Sequence, residues 1–265
     1  MSGVQNFSAM PATFPSHAAA VLPVKLWRPT WFDGVALVVG STAPDLGYPL
    51  AGLVPLPDTH ELPALLWWNL PVTLVLCRLV RRLAPDVAVH LPARWFALPD
   101  YGVLGRVRYR WYVTVWSALI GAGSHILWDG FTHNPEVGGW AARRLPFLSH
   151  EALPGWPWWY LLQHLSTLLG GLVAIGLFAR IGRYRLVRRW HGEPPPAHRA
   201  PARFWPAVAA ALAAYALSWP VLPFAFAPHV QVLRLYWALG IGLVAGAVLA
   251  RWGHERIPDR AGHHG

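Results

Sequence analysis

Residues 157–179 read PWWYLLQHLSTLLGGLVAIGLFA, a run of apolar side chains broken only by Gln163, His164, Ser166 and Thr167. A helix crossing a bilayer needs roughly 20 mostly apolar residues, and this stretch meets that length without a charge. Four further runs qualify after trimming: 62–80, 111–128, 204–222 and 231–250. A sixth, 34–54, contains Asp45 with several Gly and Pro, so it reads as a broken helix or one packed deep inside a bundle. Ahead of it, Ser16 is placed to N-cap a short helix over 17–26, interrupted at Pro23 and too short to span alone.

Composition agrees with these runs. Of 265 residues, 55% are hydrophobic and 13% charged, about half the roughly 25% charge of an average soluble domain. Mean hydropathy is +0.33, and 17 Trp and 26 Pro are spread through the apolar stretches. This composition excludes a disordered chain, a coiled coil and an ordinary soluble enzyme. The expectation is an all-α, polytopic membrane bundle of about six transmembrane helices plus a short N-terminal helix. Residues 10–180 form its membrane domain, 190–203 a Pro-rich connector, 204–252 a closing helix pair rich in small residues, and 253–265 a flexible tail. Residues 1–9 are set aside, because Met10-Pro11 opens the first patterned segment.

The formal charge of +10 comes almost wholly from arginine, Lys25 being the lone lysine. These arginines cluster between the apolar runs, at 78–110, 180–203 and 251–260. Cytoplasmic loops of membrane proteins facing anionic lipid carry this pattern, so nucleic acid is not the expected partner. If each run spans once, all three clusters share a side, with both termini in the cytoplasm of a cell-membrane protein. No secretory signal pattern opens the chain. A single cysteine, Cys77, excludes an intrachain disulfide and a cysteine-based zinc site.

The chemistry concentrates in Gly123-Ser124-His125-Ile126-Leu127-Trp128-Asp129-Gly130-Phe131-Thr132-His133. His125 and Asp129 are four apart and share a helix face, which lets an imidazole and a carboxylate grip one ion. His133 lies too far along a straight helix to join them. Gly130 and Pro135 suggest that the helix stops and His133 folds back, or that two metals are held with Asp129 bridging. Ionisable groups at the end of an apolar span are costly and point to function, although a hydrogen-bonded pair that fixes helix packing would share the spacing. Asp45, behind Pro44, must be neutralised by protonation, pairing or metal, unless it sits in an ordinary turn or N-cap.

His60 begins the 62–80 run on the same expected side. His164 lies at a matching depth in 157–179, as a ligand or general base, or as a packing residue bonded to Ser166 or Gln163. His17 falls on the other side if every run spans. Either it is no ligand, or its short helix is half-inserted and the span count is too high. Asp33 reads as a helix-start acid, and His263 and His264 as part of a solvated tail.

In order, these elements resemble an uncharacterised family of bacterial multi-pass membrane proteins, a domain of unknown function. The matches are Met10-Pro11-Ala12-Thr13-Phe14-Pro15-Ser16-His17-Ala18-Ala19 (with Phe14 inserted relative to the family pattern), Gly40 to Asp45, Ser124 to His133, and Gln163, Ser166, Thr167 and Gly170. Together they cover about residues 10–180. More distantly the pattern is similar to the YdjM-like membrane-bound proteins, described as metal-dependent hydrolases. That resemblance implies His17, Asp45, His60, His125, Asp129 and His133 as metal ligands.

The expected function is therefore a membrane-embedded hydrolase using a divalent ion, zinc by expectation, to activate water. Asp129 and His164 are its expected catalytic residues. Membrane lipid is the expected partner, and an amphipathic or phosphate-ester substrate is expected near Arg143 and Arg144. The alternative from another class is a transporter or metal permease that uses the same cluster as a passage.

Overall fold

A computed structural model describes residues 15–136 and 138–255, without the side chains of 253–255. The Met10–Phe14 part of the first motif, Arg256, Arg260 and the histidine tail lie outside the described residues. The chain is mostly helical. Contacts divide it into two units. Among the described residues, the first takes in the chain up to 78, 109–178 and 223–233, and the second 79–108, 179–222 and the chain from 234 on. The units interleave in sequence, a division that the expected consecutive domains did not contain.

In the first unit, α1 (Ala18–Trp27) carries Pro23 within it, and its N-cap position falls on His17 rather than Ser16. Helix α2 (Gly34–Gly40) is started by Asp33, whose carboxylate accepts the backbone N–H groups of Val35 and Ala36, as a helix-start acid should. The same carboxylate accepts from Thr114 Oγ1 at 2.8 Å, tying the start of α2 to α4 (Trp111–Thr132). After Gly40 the chain tightens into a 3-10 stretch, Ala43–Leu50, so the 34–54 run is a broken helix.

Small residues bring α2 and α4 together. A Cβ on Gly40 would collide with the Ala118 carbonyl, and one on Gly121 with the Leu37 carbonyl and the Ser41 nitrogen. Glycine is required at this close backbone approach. Ala36, Cys77 and Ala118 form a small buried cluster beside it.

A wide π turn, Leu65–Asn69, precedes α3 (Leu70–Ala88). Pro71, with no N–H to donate, lies just past that turn, where regular α-helical bonding must fail. At Gly52, whose φ of +77° suits glycine, an added Cβ would strike Pro223. The 223–233 segment therefore packs on the turn that follows Asp45.

Beyond α4 come the short α5 (Trp140–Arg144) and a hairpin of β1 (Glu151–Leu153) and β2 (Trp156–Pro157). Pro154 and Gly155 make its turn, Gly155 having a φ of +73°. Helix α6 (Trp158–Arg183) follows directly. Its Leu165, Leu168, Leu169, Leu172 and Val173 are exposed, the surface that lipid would cover.

The second unit contains α7 (Leu186–His191), α8 (Pro201–Ser218) and most of α9 (Pro228–Glu255). Phe204 is its core, packed with Leu83, Val208 and Ala247. The His90 ring lies flat on Phe204, 4.2 Å between centroids. His90 Nε2 accepts the Ala200 N–H at the start of α8, while Nδ1 donates to the Asp86 carbonyl. Arg185 grips Asp100 with two nitrogens, and Arg251 pairs with Asp86.

Among the described residues, three helices are long and apolar enough to cross a membrane: Trp158–Arg183, Pro201–Val221 and Pro228–Trp252. The expected six are not supported, nor is the even count that put both termini on one side. Helix α3 carries Arg78, Arg81, Arg82 and Asp86, and α4, although 22 residues long, carries Thr114, Ser117, Ser124, His125 and Asp129. The 34–54 run yields only a seven-residue helix.

Candidate metal centre

Asp129, one turn from the end of α4, is ringed by four imidazoles, two from α4 and its cap and two from other stretches of the first unit. His125 comes from the same face of α4, one turn earlier. His133 is the C-cap residue of α4. Its backbone turns extended there while its N–H still reaches the Asp129 carbonyl, which brings its ring back, Nδ1 lying 3.7 Å from Asp129 Oδ1. Gly130 leaves room for the Trp140 indole against this last turn. His17 enters from the start of α1, Nε2 3.6 Å from Asp129 Oδ1, its ring stacked on His125 at 3.9 Å. His60 enters from the loop before the π turn, Nε2 3.6 Å from Asp129 Oδ2.

Asp45 completes the cluster. Its Oδ1 lies 3.2 Å from His60 Nε2 and 3.5 Å from His125 Nε2. All six residues expected as ligands thus come together, and His17 joins them because its short helix packs into the unit. Two trios, His17–His125–Asp129 and Asp45–His60–His125, have ligand atoms within 4.8 Å of one another and could hold a metal ion.

Backbone and hydroxyl partners set which nitrogens face inward. His125 Nδ1 lies 2.8 Å from the Ser41 carbonyl, so it must donate, and Nε2 is left toward the carboxylates. Thr59 Oγ1 donates to the Pro44 carbonyl at 2.7 Å. At 3.2 Å from His60 Nδ1 it can then only accept, which again turns Nε2 inward. Asn69 Nδ2, at the end of the π turn, donates to the Thr59 carbonyl and steadies this loop. Burial, and after it the neighbouring His125, push the His17 imidazole down to about 3, so at neutral pH it offers a lone pair.

His125 Nε2 and both Asp129 oxygens are buried without a hydrogen bond of acceptable geometry, although His125 Nε2 is 3.0 Å from Asp129 Oδ2. Lone pairs of His60 and His125 Nε2 facing carboxylate oxygens at 3.0–3.6 Å repel unless a proton or a metal ion lies among them. The spacings suit a metal. With bonds near 2.0–2.1 Å, ligand atoms at the corners of a tetrahedron stand roughly 3.3 Å apart. Asp129 Oδ2 faces His60 and His125, with Asp45 beside them, whereas Oδ1 faces His17 and His133. His17 with His125 and Asp129, or Asp45 with His60 and His125, would hold a divalent ion.

His164 is placed differently from its expected role. It stands on the exposed face of α6, Nδ1 donating to the Tyr160 carbonyl and its ring against Trp156 and Tyr160. Depth along a helix was its only credential, and depth does not fix the direction a side chain faces. Arg143 and Arg144 are exposed on α5, with Arg144 over the Trp140 ring. Sequence reasoning passed over Thr59, Asn69 and the Ser41 carbonyl. Asn69 left a signal, as the lone amide within an apolar run, and the carbonyl left none.

The model of one protein family, Domain of unknown function (DUF4184), matches residues 10–251. No curated protein and no solved structure matches the chain. The chain belongs to the DUF4184 family.

Proposed function

We propose that this DUF4184 member is a membrane-embedded, metal-dependent hydrolase acting on a lipid or another amphipathic phosphate ester. One observation carries the reading: His17, His60, His125, Asp45 and Asp129 converge with their inward atoms spaced as ligands, and the Asp129 oxygens are buried without hydrogen bonds. Zinc suits a sulfur-free set of imidazoles and carboxylates. When bound, such an ion supplies a Lewis acid and lowers the pKa of a coordinated water toward 7.

The protein's own residues do the rest. Ser41 and Thr59 orient the rings of His125 and His60, and Asp129 joins the two halves of the cluster. A membrane location with the arginines at the ends of α6 and α9 toward the cytoplasm agrees with this reading. A metal permease would draw on the same side chains, but a chelating set this dense favours retention over transit.

Elemental mass spectrometry on detergent-purified protein tests the proposal. Wild type is expected to hold about one or two equivalents of metal, lost in His125→Ala and Asp129→Ala. A wild type that takes up neither zinc nor manganese on reconstitution overturns it, and metal uptake into vesicles without stoichiometric retention transfers the cluster to the permease.

A further inference from the structure

Gln163 of α6 is 2% exposed, and neither Nε2 nor Oε1 of its carboxamide has a hydrogen-bond partner among the described residues. A primary amide carries two donors and an acceptor, and burying all of them unpaired is costly. Native structures keep such groups where something outside the chain completes them. Ser166 Oγ and Thr167 Oγ1 both donate to the Gln163 backbone carbonyl, at 3.1 and 2.8 Å.

Seven residues on, two turns along the same face, Gly170 lies against Ser16, 3.0 Å from an added Cβ to the Ser16 Cβ. Ser16 adjoins His17, whose Nε2 approaches Asp129. The face of α6 that bears Gln163 therefore meets the chain beside His17 at Gly170. Gln163 lies on it about 10 Å from Gly170, toward the hairpin that follows the end of α4.

We propose that Gln163 is a substrate-binding residue of this centre, its Nε2–H group donating to an unesterified oxygen of a phosphate ester. The inference rests on the hydrolase reading. It supplies what that reading lacks, because the six clustered side chains are committed to the ion and both Arg143 and Arg144 are exposed on α5. A neutral amide suits the task. It brings no charge into a buried site and cannot lose its donors by titration.

The experiment compares wild type with Gln163→Leu and Gln163→Met, the unbranched second variant guarding against misfolding of the first. Three quantities are read: metal content, thermal midpoint in chelator, and affinity of the zinc-loaded protein for inorganic phosphate by calorimetry. Both variants are expected to keep wild-type metal content and to melt in chelator no lower than wild type, since an apolar replacement leaves no orphaned donor. Their phosphate Kd is expected to rise about tenfold or more.

Unchanged phosphate affinity in metal-loaded variants overturns the inference while leaving the hydrolase reading intact, as does a loaded wild type that binds no phosphate. Variants that melt lower in chelator and bind phosphate normally make Gln163 a packing residue. A wild type without metal overturns the hydrolase reading itself and the inference with it.

Discussion

Asp100 and Asp129 are buried almost equally, 3% and 4% exposed, yet their surroundings differ in kind. Asp100, in the second unit, is gripped by two nitrogens of Arg185, a fork that is always charged. Asp129, in the first, is met by His17, His60, His125 and His133, and no arginine or lysine pairs with it among the described residues. Cations are not scarce in a chain with 22 of them. Both carboxylates are withdrawn from water, but only one has a permanent counter-charge. The other is surrounded by bases that accept either a proton or a metal ion. The exchangeability of the partner, more than depth of burial, separates a carboxylate that holds the fold from one equipped for chemistry.

Replacing each acid by its amide puts that contrast at risk. Asp129→Asn is expected to lose its metal, and with it roughly 4 kcal/mol of stability when free metal stands a thousandfold above Kd. In chelator the variant should melt no lower than wild type. Asp100→Asn should keep its metal and melt lower with or without chelator. Arg185 is half exposed, so the loss there should be modest. Elemental analysis and thermal unfolding in detergent report both effects, and full metal content in Asp129→Asn would erase the distinction.

Gly121→Ala tests whether the histidines depend on the α2–α4 seam. The added methyl meets the Leu37 carbonyl and the Ser41 nitrogen, so α2 must move and the Ser41 carbonyl with it. A loss of about 3 kcal/mol and about tenfold in metal affinity is expected. Gly171→Ala, where an added Cβ meets nothing within 4 Å, is the control. Equal zinc affinity in both would show that the seam does not orient His125.

The smallest effect is the acid response. His17 is held near 3 in the fold, against about 6.5 when exposed. Between those values the unfolded chain binds a proton that the folded chain refuses. Stability is therefore complete above about pH 6.5 and declines as the pH falls toward 3, by up to about 2 kcal/mol between pH 7 and pH 5. Chelator-treated wild type should show this loss in denaturant titrations and His17→Gln should show less. Equal slopes would place His17 outside the buried cluster.

Much of this was legible in the sequence. The apolar runs locate α3, α4, α6, α8 and α9, Pro44 and the glycines announce the broken helix, and the four-residue spacing of His125 and Asp129 sets one face of the centre. Gly130 and Pro135 foretell the return of His133. The rest depends on direction and on distant contacts, which linear spacing does not encode. His164 and Gln163 are adjacent, at one depth in one helix, yet one faces outward and the other inward. The span count failed because α3 and α4 have apolar cores flanked by charge or interrupted by polar groups.

The contact of Pro223 with the glycine turn at Gly52 bears on how the molecule is made. Chains emerge from the ribosome N-terminus first, and every clustered histidine and aspartate has been synthesised by residue 133. The segment 223–233, however, belongs to the same compact unit and packs on the turn just beyond Asp45. The ligand-bearing part is thus translated early and finished late. It must wait, partly assembled, for nearly the whole chain before its last piece arrives.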